Sequence, residues 1–124
     1  GTNDTKPHFS ASSLVIARGM ERIILRLKEL IRSSINPEAK ILLLAPPHIE
    51  RCENGEYMYE FDESSTRKSH ELAAQYAMVA RNNGCLFADT SKWVSPDPTD
   101  GIHLGPDAHK VFAQKLTEIL LSGL

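Results

Sequence analysis

The apolar residues between Ser12 and Ser34 recur at steps of three and four, with charged residues between them. This spacing places them on one face of an α-helix, so the pattern predicts an amphipathic helix. Ser12 or Ser13 can accept hydrogen bonds from its first free amides, and Asn36-Pro37 cannot continue it. The face expected to be buried consists of Ile16, Met20, Ile23, Ile24, Leu27, Leu30 and Ile31.

Two short apolar runs predict strands. The run "KILLLAPP" ends at Pro46-Pro47 and has the nearly continuous apolar character of a strand buried on both faces, and "CLFADT" has the same character. Residues 48–63 lose the pattern and predict a loop or a short hairpin. A second helix is then expected, capped by Ser64 or Ser65 and stopped at 82–84. Its predicted buried face is Leu72, Ala73, Tyr76, Val79 and Ala80.

A third helix is predicted to open at Gly105-Pro106-Asp107. Proline is tolerated in a first turn, and an aspartate there favours the positive end of the helix dipole. The expected buried face is Ala108, Val111, Phe112, Leu116, Ile119 and Leu120.

The alternation of helices and strands predicts an α/β fold with parallel strands, in a single domain over residues 1–124. Two full strands are fewer than such a sheet normally has. The chain also begins at Gly1 rather than at a methionine. We therefore expect a processed fragment or a missing upstream segment, with about half of the sheet absent from this chain.

Charge and composition narrow the classes of partner. The net charge is −2, the pI is about 6.2, and the basic residues are scattered between acidic ones, which argues against nucleic acid. No apolar run approaches the roughly 20 residues that cross a bilayer, so no membrane partner is expected. Cys52 and Cys85 have no CxxC spacing and are expected to be free thiols, with a single disulfide bridge as the alternative.

Near the end of the chain, Asp100 lies three residues before His103 in a loop that leads into a helix. The loop should lie beyond the carboxyl end of a strand, where sites usually form in open α/β sheets. The carboxylate can accept the ring Nδ1–H, so that Nε2 acts as a general base. A polar turn is the more ordinary use of this spacing. A metal site with Asp97, Asp107 and His109 is a weaker alternative, because no paired ligand spacing completes a shell, and no metal or other cofactor is expected.

The opening "GTND" offers a second polar group. A glycine followed by Thr-Asn-Asp at a strand end allows a tight turn that presents the Asn3 carboxamide above the sheet edge. Its NH₂ group is a neutral donor of the kind that stabilises charge on a carbonyl oxygen during acyl transfer. The alternative is an ordinary turn residue.

Both stretches resemble one family. Gly1-Thr2-Asn3-Asp4 resembles the third conserved block of the SGNH (GDSL-type) esterases and lipases, and Asp100-Gly101-Ile102-His103 resembles their fifth block. "GTNDTK", "LLLAPP" and "DGIHLGPDAH" are especially similar to the arylesterase and acyltransferase branch. The resemblance implies a flavodoxin-like three-layer parallel sheet, of which this chain supplies about the C-terminal half. It also implies that Asn3 contributes to the oxyanion hole, His103 is the base, and Asp100 orients it.

The family's nucleophilic serine lies in a first block, Gly-Asp-Ser-Leu or similar, and a second-block glycine donates a backbone N–H. Neither block is present, and no serine here follows Gly-Asp. We expect a serine ester hydrolase or acyltransferase acting on small or aryl/acetyl esters. The serine would come from an upstream segment or a companion chain, so this chain alone should be inactive. The alternative is a non-catalytic α/β binding or interaction module.

Other residues are weaker candidates. His48 follows Pro46-Pro47 and Trp93 precedes the Asp-x-x-His loop, so both are candidates to contact substrate, with a surface loop and core packing as the respective alternatives. Asp89 is expected to cap a turn.

An unpaired parallel edge at "KILLLA" favours a homo-oligomer if the chain exists alone. We expect one aromatic-rich cluster to form either a pocket wall or a subunit contact, and it consists of Tyr57, Met58, Tyr59 and Phe61.

Overall fold

Three α-helices alternate with two strands in the computed structural model, which describes residues 1–122. The predicted order of the three helices and the two full strands is confirmed, whereas the described residues contain no strand end at "GTND". Residues 48–61 carry no strand, so they form a loop and not a hairpin. Three-residue 3₁₀ helices occur at Asn3–Thr5, Pro7–Phe9 and Thr90–Lys92. The longer elements are α1 (Ser13–Arg32), β1 (Leu42–Ala45), α2 (Glu63–Asn82), β2 (Leu86–Asp89) and α3 (Pro106–Leu121).

The two strands pair in parallel, with Leu42 opposite Leu86 and Ala45 opposite Asp89. Parallel strands require a crossover connection, which α2 supplies. The predicted parallel α/β arrangement is therefore confirmed. Within residues 1–122, no helix combines the length and the apolar character needed to cross a bilayer.

The core lies between the sheet and the first two helices. The predicted buried face of α2 is confirmed, with Ala73 packed at its margin. In β1, Leu43 and Ala45 are buried, whereas Leu42 and Leu44 are only half-buried, so burial on both faces was wrong for this strand. Two strands and three helices do not cover the second face of this sheet. The core cluster consists of Ile16, Ala17, Ile24, Leu43, Ala45, Leu72, Tyr76, Val79 and Ala80.

The helix starts follow local hydrogen-bonding rules. Ser12 caps α1 by accepting the Val15 N–H at 3.3 Å, as predicted. The predicted cap of α2 was wrong, because Asp62 takes that position. Its carboxylate accepts the Ser65 N–H at 3.1 Å, and the Ser65 hydroxyl accepts the Asp62 N–H at 3.3 Å. This reciprocal pair satisfies two free amides at once, which a serine one turn later could not do.

The apolar stripe of α1 is only partly covered. Ile16 and Ile24 are buried and Met20 packs against the core, but Ile23, Leu27 and Leu30 remain 53%, 41% and 50% exposed. Their predicted burial was wrong for the described residues. A two-stranded sheet is too narrow to cover the full width of the stripe.

The predicted burial of α3 was also wrong, since none of its described residues is buried. Val111 is 38% exposed and Leu120 is 48% exposed. The helix does begin as predicted, with Pro106 in its first turn and Asp107 beside it. Periodicity identified the apolar face, but residues 1–122 offer that face too little apolar surface.

Candidate functional site

The loop from Asp97 to Gly105 connects the end of the β2 region with α3 and carries Asp100 and His103. It is closed by its own backbone: the Asp97 N–H donates to the His103 carbonyl at 2.7 Å, and the Gly101 N–H donates to the Asp97 carbonyl at 2.8 Å. The Asp97 carboxylate accepts the Thr99 N–H at 2.9 Å. These hydrogen bonds hold the backbone of the loop in place, and with it the positions of its polar side chains.

Asp100 and His103 are in direct contact. The distance between Asp100 Oδ2 and His103 Nδ1 is 2.7 Å. The other carboxylate oxygen, Oδ1, accepts the N–H groups of Ile102 at 2.8 Å and of His103 at 2.9 Å. A carboxylate held in this way favours the tautomer with the proton on Nδ1. The His103 side chain is 70% exposed, so Nε2 is open to an incoming group.

The same contacts set the charge of Asp100. Partial desolvation raises the pKa of the Asp100 carboxyl, but the hydrogen bonds from the His103 ring and from the two backbone N–H groups outweigh it and hold the pKa below its usual value. Asp100 is therefore ionised at neutral pH and can stabilise a positive charge on the imidazole.

The loop that follows β1 is hydrogen-bonded to the Asp97–Gly105 loop and supports it. The Glu50 N–H donates to the Gly101 carbonyl at 2.9 Å, and the Glu53 N–H donates to the Pro98 carbonyl at 2.7 Å. Gly101 is buried at the contact. The positions of Asp100 and His103 thus depend on backbone far away in the sequence.

Asn3 lies at the same edge of the sheet. It opens the 3₁₀ helix Asn3–Thr5 and its side chain is exposed. Gly1 lies against Pro46, which directly follows β1. The Thr5 carbonyl accepts the Ser65 hydroxyl at 3.1 Å and the Lys68 ammonium at 3.0 Å, both in the first turns of α2. The structure therefore brings "GTND" and the Asp100–His103 loop to the carboxyl ends of the strands.

His48 lies in the loop after β1 and stacks on His70 of α2, with ring centroids 3.7 Å apart. Burial lowers the pKa of His48, and the charge of His70 lowers it further, against the opposing effect of Asp89 and Glu50. His48 is therefore neutral at pH 7. Sequence reasoning missed His70, because only the packing of α2 brings it to His48.

Trp93 packs its ring edgewise against Phe112 of α3, with centroids 5.5 Å apart. Just before it, the Thr90 hydroxyl donates to the Ala45 carbonyl at 2.6 Å and ties the end of β2 to β1. Asp89 caps the intervening turn by accepting the Ser91 N–H at 3.2 Å, which confirms its expected role.

The aromatic cluster after β1 is divided in the structure. Tyr57 lies under the Arg51 guanidinium at 4.4 Å, and Phe61 lies under the Lys6 ammonium at 5.2 Å. Tyr59 is 86% exposed. The cluster therefore does not form one continuous wall. Within the cluster, only Tyr59 exposes most of its surface to solvent.

Two further features concern candidate ligands. Among residues 1–122, no three His, Cys, Asp or Glu side chains are grouped as a metal site would require. Cys52 and Cys85 are free thiols, as predicted.

Comparison with solved structures gives likenesses that cover the whole chain. A carbohydrate acetylesterase from Sinorhizobium meliloti matches with a TM-score of 0.87 at 25% identity, and the M. smegmatis aryl esterase matches with 0.88 at 28% identity. A proposed arylesterase from Agrobacterium tumefaciens matches with 0.80 at 29% identity. No protein-family model and no curated protein sequence matches the chain.

The chain covers only part of each of these structures. All of its residues are matched, but they span 58% of the acetylesterase, of the aryl esterase and of the arylesterase. This coverage is consistent with the carboxyl-terminal part of such a protein. The predicted resemblance is thereby confirmed: the structural neighbours of this chain are SGNH-type carbohydrate acetylesterases and aryl esterases, and its fold is part of the SGNH hydrolase fold.

Proposed function

We propose that this chain supplies the base and one oxyanion donor of a serine ester hydrolase or acyltransferase that acts on small aryl or acetyl esters. The contact of 2.7 Å between Asp100 Oδ2 and His103 Nδ1 is the observation that carries the proposal. The names of the solved neighbours, which are acetylesterases and aryl esterases, support the kind of substrate.

In this proposal His103 Nε2 removes the proton from a serine hydroxyl that lies on polypeptide outside this chain. The serine oxygen attacks the ester carbonyl, and the resulting oxyanion accepts a hydrogen bond from the Asn3 NH₂ group and from backbone N–H groups. His103 then returns its proton to the departing alcohol. Water, or another alcohol, repeats the sequence on the acyl-enzyme and releases the acid or a new ester.

Asp100 has two tasks in this scheme. Its Oδ2 fixes the tautomer and the orientation of the imidazole, and its negative charge stabilises the imidazolium formed after proton transfer. Loss of such an orienting residue costs a factor of about 10⁴ in other hydrolases, and loss of one oxyanion donor costs about 10² to 10³. We propose the same order of importance for Asp100 and Asn3.

His48 and Trp93 are proposed to border the substrate. His48 is a neutral imidazole in the loop after β1 and offers both apolar surface and a hydrogen bond. Trp93 is half-buried against Phe112 and can contact an acyl or aryl group only with its free edge. His48 is therefore the stronger of the two proposals.

Activity with and without the segment upstream of Gly1 tests the proposal. The longer polypeptide, with its Gly-Asp-Ser block, should hydrolyse p-nitrophenyl acetate with saturable kinetics and lose this activity to a serine-directed phosphonate. The 124-residue chain alone should give no saturable turnover. Phosphonate labelling of a serine in the chain alone would contradict the proposed origin of the nucleophile. An inactive longer polypeptide would contradict the esterase proposal itself.

A further inference from the structure

A cavity of about 790 Å³ lies at the amino-terminal ends of the two strands, at the opposite edge of the sheet from His103. Its walls are the last turns of α1 and the connections that lead into β1 and β2. Leu25 and Ile31 come from the helix, Ile41 directly precedes β1, and Leu86 is the first residue of β2. The volume lies in the range of about 300 to 1,000 Å³ that is typical of small-molecule sites.

The charged residues around the cavity are mostly basic. Lys28, Arg32 and Lys40 line it together with one acidic residue, Glu29. The Glu29 carboxylate is already engaged by the Arg26 guanidinium at 2.8 Å. In the part of the chain that the structure describes, Arg32 and Lys40 take part in no ion pair. The rim therefore carries positive charge that no carboxylate of residues 1–122 neutralises.

The end of α1 does not cancel this charge. The last carbonyl groups of a helix carry partial negative charge and would repel an anion. Here the Ser33 hydroxyl donates to the Leu30 carbonyl at 3.1 Å, and the Ser34 hydroxyl donates to the Ile31 carbonyl at 2.8 Å. Each of these two carbonyl groups therefore accepts a hydrogen bond from within the chain.

The cavity is formed by this chain alone. The Lys28 ammonium donates to the Asn83 carbonyl and so links α1 to the end of α2 on one side. Leu27 and Leu30, which belong to the uncovered part of the α1 stripe, do not line the cavity.

We propose that this cavity binds an amphipathic carboxylate, with an aliphatic or aromatic body between Leu25, Ile41 and Leu86 and an acid group that meets Arg32 and Lys40. The apolar interior matches the aliphatic or aromatic body of such a molecule, and the two unpaired cations at the rim match its acid group. The site is separate from the proposed catalytic edge and does not depend on the proposed function.

Thiol protection with sodium decanoate tests the site on the 124-residue chain. Cys85 lies in the cavity wall and is half-buried, whereas Cys52 lies in the loop after β1 and serves as an internal control. Decanoate should slow alkylation of Cys85 by iodoacetamide in a saturable way and leave Cys52 unchanged, as measured by mass spectrometry. Calorimetric titration of decanoate gives an independent dissociation constant.

Charge variants separate recognition of the acid group from simple burial of the tail. Arg32→Gln and Lys40→Gln should each weaken decanoate binding by about 1.5- to 5-fold, the range expected for one exposed ion pair. Lys110→Gln, on α3, removes the same charge elsewhere and should leave binding unchanged. Decanol should bind more weakly than decanoate, and acetate should not protect Cys85.

Three results would overturn the proposal. These are the absence of both protection and binding heat, equal protection of Cys52 and Cys85, and equal binding of decanol and decanoate.

Discussion

Gly101 lies directly against the backbone of Glu50: a Cβ added to Gly101 would stand 2.1 Å from the Glu50 carbonyl oxygen. Gly101 also has a φ of +68°, a conformation that other residues adopt only with strain. Only glycine therefore satisfies both conditions at this point. The contact holds the turn between Asp100 and His103, so it links the loop after β1 to the geometry of the candidate base.

Replacement of Gly101 should disturb both stability and the proposed activity. We expect Gly101→Ala to lower the free energy of unfolding by about 2 kcal/mol or more, because the left-handed conformation costs about 1 to 2 kcal/mol and the backbone clash adds to it. Urea unfolding of the chain measures this change. Gly55→Ala is the matched control, since Gly55 has a φ of +84° but open space around it. Equal losses in the two variants would show that the contact with Glu50 adds nothing.

The cap of α2 gives a second prediction. Asp62→Ala removes the acceptor of the Ser65 N–H, and we expect a loss of about 1 kcal/mol in unfolding free energy. Thermal or urea unfolding measures it. Glu63→Ala, in the same first turn but outside the cap, should cost less. If Glu63→Ala cost more than Asp62→Ala, helix-dipole charge and not capping would stabilise this end.

Substitution of Tyr76 is predicted to raise the free energy of unfolding, whereas the preceding substitutions lower it. Its side chain is 1% exposed, and its hydroxyl has no hydrogen-bond partner among residues 1–122. Burial raises the pKa of this hydroxyl, with a smaller contribution from the charge of Asp4. Tyr76→Phe removes an unsatisfied polar group and should stabilise this chain by up to about 1 kcal/mol in urea unfolding. Tyr59→Phe, at an exposed position, should have no effect. A clear loss of stability in Tyr76→Phe would mean that the hydroxyl is bonded in solution.

The stacked histidines predict a pH dependence of stability. The folded-state pKa of His48 is lowered from its usual 6.5, so the unfolded chain binds a proton there more readily than the folded chain does. The stabilising effect of neutral His48 should be complete above about pH 6.5 and should be lost as the pH falls through the folded-state pKa. Unfolding midpoints measured from above pH 6.5 to well below it test this prediction. His48→Gln should fall less steeply than the wild type, whereas His109→Gln should follow it. Parallel curves for all three would contradict the prediction.

The sequence was most informative where local pattern and tertiary packing agree. The period of Leu72, Tyr76 and Val79 predicted the face of α2 that the core buries, and the apolar runs ending at Pro46 and Asp89 predicted two parallel strands. Both signals come from residues that face each other within this chain. The same kind of pattern misled for α1 and α3, because it reports which face is apolar and not whether another element is present to cover it.

The contact between Asp100 and His103 was predictable from the sequence, but the tertiary contacts that support it were not. The spacing of Asp100 and His103 predicted a contact within one loop turn, and the two side chains do meet. Their catalytic roles stay predictions. The contact of Gly101 with Glu50 and the stacking of His48 on His70 join distant parts of the chain, so no local pattern reports them.

The proposed catalytic role of His103 is tested most directly by steady-state hydrolysis of p-nitrophenyl acetate in the proposed longer polypeptide, in which a segment upstream of Gly1 supplies the serine block. His109→Ala is the matched control, because His109 is also exposed but lies on α3 outside the loop. We expect His103→Ala to lower kcat/KM by about 10³-fold or more and His109→Ala to stay near the wild-type value. A His103→Ala variant with the kcat/KM of the wild type would remove His103 from the reaction and contradict the account.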